Sequence, residues 1–281
     1  MSENPEWTER AETFRRLHDG PGVLRLVNAW DRLSARVFAL SGAPAVATSS
    51  FAVALANGWA DGENIPWARV CEVVASITDA VDVPVSVDIE AGQGDSPDAV
   101  ELAVADVVGA GAVGINLEDR RPTQPGVLFD VDAQNARIAA ARTAGGSALF
   151  INARCDVWFG ADVADGDRLD EALARGRRYI DAGADCVFFP GLIDVDTLRA
   201  VTDKLAPTPV NAMLWPGLPS IDQLEAAGVR RLSQGGSAFL VAVGALDAMT
   251  RRFLEGEPEQ FGGDTVPAFH LVPGLATTSA P

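Results

Sequence analysis

The sequence predicts an α/β fold, a (β/α)8 barrel of the TIM type, on three observations. Eight short apolar runs rich in Val, Ile, Leu and Ala recur between residues 24 and 233. Near-continuous hydrophobicity marks strands buried on both faces of a parallel sheet. The segments between the runs have helical spacing, and several end at a glycine that stops a helix, as at Gly42, Gly111, Gly183 and Gly228. Two runs break abruptly into carboxylates, at Asp88 with Glu90 and at Glu118 with Asp119, as strands do when they deliver acids to one end of a barrel. The alternative, a doubly wound sheet, calls for a glycine-rich turn after the first strand. Asn28 to Ser34 contains no glycine.

In chain order, a charged helix is expected over residues 5–19. Strands follow at 24–28, 45–49, 83–90, 113–119, 148–154, 186–190, 209–213 and 230–233, with helices such as 31–40, 67–80, 97–108 and 168–182 between them. No linker interrupts the alternation, so residues 1–255 read as one domain, a size usual for a single barrel. From 256 to 281 the periodicity fades into Gly, Pro and Thr. A piece near 253–261 is expected to dock, and 273–281 to be disordered.

A net charge of −17 argues against nucleic acid or an anionic membrane as partner. No apolar run reaches the ~18–20 residues of a membrane span, and the polar start does not resemble a signal peptide. Three cysteines, an odd count, fit reduced thiols, so a cytoplasmic location is expected. With His18 and His270 the only histidines, neither a zinc site nor a serine triad is suggested.

The catalytic face of such a barrel lies where strands end. Asp88 and Glu90, two apart, are expected on one side of the third strand, with Glu118 closing the fourth. Three converging carboxylates suit a hard cation, Mg2+ above all; otherwise they cap helices or pair with arginines. Arg154 is read as a fork for a substrate anion or as an ion-pair partner of Glu118 or Glu90. The segment Ser49, Ser50 and Phe51 could bind a carboxylate, or the serines could cap a helix. Asn211 is one more strand-end polar residue, and Trp30 a candidate wall of the site.

These pieces together carry a resemblance. Asn28-Ala-Trp-Asp-Arg-Leu-Ser-Ala35, Thr48-Ser-Ser-Phe51, Asn57-Gly-Trp-Ala-Asp61, Val87-Asp-Ile-Glu-Ala-Gly-Gln-Gly94, Asn116-Leu-Glu-Asp119 and Asn152-Ala-Arg154 resemble the isocitrate lyase/phosphoenolpyruvate mutase superfamily over residues 24–246. The resemblance implies a barrel whose C-terminal helix is exchanged between subunits of a homodimer or homotetramer. It also implies Mg2+ or Mn2+ chelated by a 2-oxo acid substrate. On matching positions Asp88 contacts the metal, directly or through water, while Asp61, Glu90 and Glu118 hold its water shell. Ser49 and Ser50 bind the carboxylate and Arg154 the distal anion. The chain departs from the lyase pattern after Asp119: residues 120–129 lack the cysteine-bearing Lys-Lys/Arg-Cys-Gly-His motif. It also departs from the mutase pattern, with Gln124 in that loop and Pro190 at the sixth strand. It resembles better a less defined branch with Phe189-Pro-Gly-Leu192 and Arg231-Leu-Ser-Gln-Gly-Gly236.

The reading is an Mg2+-dependent enzyme, a lyase cleaving a C–C bond in a small 2-oxo or 2-hydroxy di- or tricarboxylate through a metal-held enolate. Arg154, Glu118 and Asp61 are its expected catalytic residues. Trp30, Ser49, Ser50, Phe51, Asp88, Arg154 and Asn211 are expected to bind substrate, and Asp88, Glu90, Glu118 and Asp61 the metal. Arg120, Arg121 or a water are candidate proton donors by position. P–C bond chemistry on phosphonopyruvate and a catalytically inactive barrel that binds a 2-oxo acid are the alternatives.

Overall fold

In the computed structural model, which describes residues 5–256 and 269–275, eight parallel strands close into a barrel in sequence order. They are β1 (Leu24–Ala29), β2 (Val46–Thr48), β3 (Val85–Asp88), β4 (Gly114–Glu118), β5 (Phe150–Arg154), β6 (Cys186–Phe188), β7 (Val210–Met213) and β8 (Arg231–Ser233). β8 pairs back onto β1 through Leu24–Arg231 and Leu26–Ser233. The helices are α1 (Pro5–Asp19), α2 (Arg32–Leu40), α3 (Ser50–Ala56), α4 (Trp67–Thr78), α5 (Pro97–Gly109), α6 (Val131–Gly145), α7 (Arg168–Asp181), α8 (Val195–Leu205), α9 (Ile221–Ala226) and α10 (Ser237–Leu254). The expected barrel is the one observed.

Local chemistry sets the helix starts. Asp31 and Ser34 form a reciprocal capping box on α2, and Ser220 and Gln223 do the same on α9. Ser96 caps α5, with Pro97 just inside it. The main apolar core lies between strands and helices and includes the fully buried Ile77, Ile115, Ile138 and Val187. A second, smaller core fills the N-terminal end of the barrel. There Phe14 of α1 meets Phe150 edge-to-face at 5.3 Å, and His18 stacks on the same ring at 3.9 Å.

Above that plug the barrel interior turns polar. Asn116, Asn152, Asn211 and Arg231 are all buried, and Arg231 donates to Asn116 at 3.2 Å.

Two expectations need correction. The third strand ends at Asp88, not at Glu90, because Glu90 adopts a left-handed backbone with φ +54. The pleat therefore does not set Glu90 beside Asp88. The tail is not without structure from Pro273 onward: Val272–Leu275 is a short helix, and Arg36 of α2 donates to the Gly274 carbonyl. Residues 276–281, and 257–261 of the piece expected to dock, lie outside the described residues. Among the described residues no helix is long and apolar enough to cross a membrane.

Candidate active site

A cavity of about 380 Å3 opens at the C-terminal ends of the strands. Asp88, Glu90, Glu118, Arg120 and Arg154 line one side, with Asp61 reaching in from the loop before α4. Ser49, Ser50 and Phe51 also border it.

Asp88 is held from two sides. The Ser50 hydroxyl and backbone N–H donate to Oδ2 at 2.8 and 3.3 Å, and Glu90 N–H donates to Oδ1 at 3.2 Å. Thr48 fixes the backbone there by accepting from Asp88 N–H at 2.9 Å. Ser49 caps α3 through Ala52 N–H, so its side chain is committed to the helix start. Ser50 orients the acid, a role its position in the sequence did not specify.

Glu63 was missed at the sequence level. It sits in left-handed backbone, φ +58, and gives its N–H to Glu90 Oε2 at 2.8 Å. Its own carboxylate accepts Gln93 N–H at 2.8 Å. This pair of bonds latches the Asp61-bearing loop to the turn after β3. Positive φ at Glu63, Glu90 and Gln93 concentrates backbone strain beside the cavity. No residue pattern announces left-handed glutamates.

Asp156 is the second omission. It is fully buried and accepts a fork from Arg154, Nε at 2.6 Å and Nη2 at 2.8 Å. Arg154 Nη1 meets Glu118 at 2.7 Å, and Arg120 lies 3.6 Å from Glu118 and 3.5 Å from Asp156. The ion-pair reading of Arg154 with Glu118 is the one seen; the side chain lines the cavity, and its fork is spent on Asp156 within the protein. The spacing Arg-x-Asp at the end of the fifth strand was the available signal. Asp119 belongs to the support of this cluster, not to the cavity. It accepts Asp156 N–H at 2.9 Å and the Tyr179 hydroxyl at 2.7 Å.

Burial dominates the electrostatics. It pushes Glu90 up to about 8, helped by the charges of Asp88 and Asp61. Burial also raises Glu118 well above the usual carboxylate range; Arg154 pulls it back, while Asp156 and Asp88 push it further up. Asp61, exposed overall, is still raised by desolvation on its cavity side and then by Asp88. For Arg154 burial opposes the charge, but Asp156 and Glu118 more than compensate and raise its pKa.

The geometry bears on the expected metal site. Among the described residues no three acids come close enough to cage an ion with side chains alone. The converging triad of carboxylates is therefore not present as such, since Glu118 is drawn to Arg154 and Glu90 to the Glu63 N–H. What remains is one anchored acid, Asp88, with Asp61, Glu90 and Glu118 around it, each held up in part by the Asp88 charge. That donor set fits a cation that keeps most of its water, as Mg2+ does.

Two expected substrate contacts do not reach the cavity. Trp30 follows β1 but packs edge-to-face on Phe38 and on Phe239, at 6.3 and 5.3 Å. Asn211 is fully buried inside the barrel, its amide without a partner. Of the two arginines among the candidate proton donors, Arg120 lines the cavity, whereas Arg121 pairs with Asp95 at 2.6 Å and stacks on Phe129. Phe188 lines the cavity although it is almost fully buried.

The family model for phosphoenolpyruvate phosphomutase matches residues 14–254. The chain belongs to that family. Within it, a crystal structure of a candidate phosphonomutase from Burkholderia cenocepacia is 45% identical, covers 86% of this chain and 99% of its own, and superimposes with a TM-score of 0.81. An uncharacterized protein of Mycobacterium tuberculosis is 34% identical over 245 residues, 87% of this chain and 90% of its own. The 2-methylisocitrate lyase of Bacillus subtilis is 29% identical over 210 residues, 73% of this chain and 67% of its own. The family therefore spans lyases and mutases within the isocitrate lyase/phosphoenolpyruvate mutase superfamily.

Proposed function

We propose that this family member is a lyase, dependent on Mg2+ or Mn2+, that cleaves a C–C bond in a small 2-oxo or 2-hydroxy di- or tricarboxylate. The observation that carries the reading is the anchored Asp88 within a ring of acids whose protonation is raised by burial and by one another. Such a ring costs stability unless a cation or protons neutralise it. Asp88 would hold the cation directly, and Asp61, Glu90 and Glu118 its water shell.

When bound, the cation supplies Lewis-acid stabilisation of the negative charge that builds on substrate oxygen as the bond breaks. The chain's own groups do the rest. Ser50 keeps Asp88 oriented. Arg154, fixed by Asp156, keeps Glu118 in place, and Arg120, 3.6 Å from Glu118 and 3.5 Å from Asp156, would receive a second carboxylate of the substrate. Cleavage of a 2-hydroxy acid removes the hydroxyl proton and leaves the bonding pair on the departing fragment, which takes up a proton. Without the cation, burial and its acidic neighbours hold Glu90 up at about 8; a bound cation would favour its charged form.

The test is calorimetric titration with oxalate, a chelating mimic of such a product. Binding should require Mg2+ and be lost in Asp88→Asn with the fold intact. Unchanged Mg2+-dependent affinity in that variant would remove the metal assignment. A second reading, P–C bond chemistry on phosphonopyruvate, is favoured by the 45% identical candidate phosphonomutase; release of inorganic phosphate would select it.

We infer further that the protein works as a homo-oligomer. None of the residues of α10 is buried, and Val241, Leu246, Phe253 and Leu254 are each more than 60% exposed. A groove of about 510 Å3 on the outside of β1, lined by Val23, Val27 and Phe38, leaves room for an apolar helix. Sedimentation velocity would show a dimer or larger assembly; a monomer at micromolar concentration would refute this.

A further inference from the structure

The turn that follows β3 folds against the preferences of its own residues. Glu90, Gly92, Gln93 and Gly94 all have positive φ, at +54, +85, +63 and +151. Glycine takes such angles freely, but a glutamate and a glutamine keep them only where their surroundings over-determine them. Glu90 lines the cavity, so whatever fixes this turn also fixes where that carboxylate stands.

The fixing group comes from outside the strands. Arg137 of α6 is fully buried, its guanidinium carbon 4.0 Å from the centre of the Phe129 ring. Among the described residues it donates only to neutral oxygens: the Ala91 carbonyl, the Gly94 carbonyl at 2.6 Å and Gln134 Oε1 at 3.0 Å. Burial lowers its pKa to about 10, although the charges of Glu63 and Asp95 oppose the fall. Burying a cation without a paired acid is unfavourable, and what it achieves here is a hold on two carbonyls of one turn.

Gln134 extends the link. It lies three residues earlier on the same helix face, is fully buried, and donates through Nε2 to the Glu118 carbonyl at 3.2 Å. The Glu118 N–H donates to the Glu90 carbonyl at 2.9 Å. A closed ring of bonds therefore runs from the Glu90 turn through Arg137 and Gln134 to Glu118 and back. Neither Arg137 nor Gln134 lines the cavity.

We infer that Arg137 is a positioning residue of the cation site. It touches neither cation nor substrate, and through this ring of bonds it sets the spacing of Glu90 and Glu118 about Asp88. The inference rests on the proposed part of those acids in holding the cation's water. Lysine cannot take its place, because an ammonium lacks the planar fork that spans both carbonyls and Gln134.

The test is Mn2+ titration of the full chain, with free Mn2+ read by electron paramagnetic resonance and Tm measured by calorimetry in EDTA. Arg137→Lys should weaken Mn2+ binding by about tenfold, as loss of a group that orients a metal-holding acid does. Gln134→Leu, which cuts only the link to Glu118, should weaken it less. The double variant should be no weaker than Arg137→Lys alone, because both residues act through one ring. Arg142→Lys is the control: Arg142 lies on the same helix and holds the carbonyls of Gly146, Leu149 and Gly183, ahead of β5 and β6 at the other end of the barrel. That variant should lose Tm and keep its Mn2+ affinity. A lower Tm with unchanged Mn2+ affinity in Arg137→Lys would overturn the inference, and so would an equal weakening in Arg142→Lys. If Arg137→Lys does not fold, unchanged affinity in Gln134→Leu overturns it. Absence of Mn2+ binding in the unmodified protein would instead bring down the cation site, and this inference with it.

Discussion

Replacement of Asp156 by Asn should destabilise the barrel while barely changing its shape. The carboxylate is fully buried, takes both hydrogen bonds of the Arg154 fork at 2.6 and 2.8 Å, and has Arg120 at 3.5 Å. Asparagine keeps the volume but turns an N–H2 toward a guanidinium and leaves that cation with Glu118 as its nearest counter-charge. Breaking one partner of a buried pair costs ~3–5 kcal/mol. The lower end applies, because Glu118 remains and loses a repelling neighbour. For a chain of this size ~3 kcal/mol corresponds to a drop of about 6–12 °C in Tm. Differential scanning calorimetry at neutral pH measures it, with Asp132→Asn as control, since that acid sits at the exposed start of α6. A drop below ~2 °C, the shift expected of less than 1 kcal/mol, would mean that Arg154 is held by something other than Asp156. The account of the cavity's charge would then fail.

Three further outcomes are expected. Burial first, then the charge of Arg231, lowers the His18 pKa from 6.5 to about 3, so the unfolded chain binds a proton near pH 6.5 that the folded chain refuses. This contribution is intact above pH 6.5 and lost as pH falls toward 3. It amounts to ~2 kcal/mol at pH 5, and urea denaturation of His18→Leu should show a correspondingly smaller loss between pH 7 and pH 5; parallel curves would refute it. Glu90 acts oppositely, its raised pKa near 8 making stability fall as pH rises from 4.5 to 8; in EDTA, Glu90→Gln should flatten that fall, and an unchanged slope would contradict it. Gly92→Ala should cost ~2–3 kcal/mol, because φ is +85 and the new Cβ would stand 2.7 Å from Val100. Gly58→Ala, at φ +81 in open space, should cost only ~1 kcal/mol, and equal losses in urea would dismiss the steric argument.

The barrel was legible because parallel strands buried on two faces write themselves as apolar runs, and each of the eight runs became a strand. Asp88, Glu118 and Arg154 were legible because they end such runs. Beyond a strand end the pattern loses its grip. Glu90 was placed on the strand when a left-handed turn carries it, and Glu63 was invisible because its role depends on a loop folding back over that turn. The Arg154 fork could be read as a ligand contact because sequence shows the cation but not which acid claims it; Asp156, two residues on, does. Trp30 looked like a wall for the same reason. Nothing local reveals that Phe38 and Phe239 wait on either side of it.

The central claim is cation-dependent cleavage of a C–C bond, and NMR-monitored turnover tests it most directly. A panel of 2-hydroxy and 2-oxo di- and tricarboxylates, substituted and plain, with phosphonopyruvate added, would be incubated with Mg2+, with EDTA, and with Asp88→Asn. The account predicts release of a 2-oxo acid such as pyruvate or glyoxylate from at least one carboxylate substrate, abolished by EDTA and by the substitution. Turnover that survives both, or release only of inorganic phosphate from phosphonopyruvate, would contradict it.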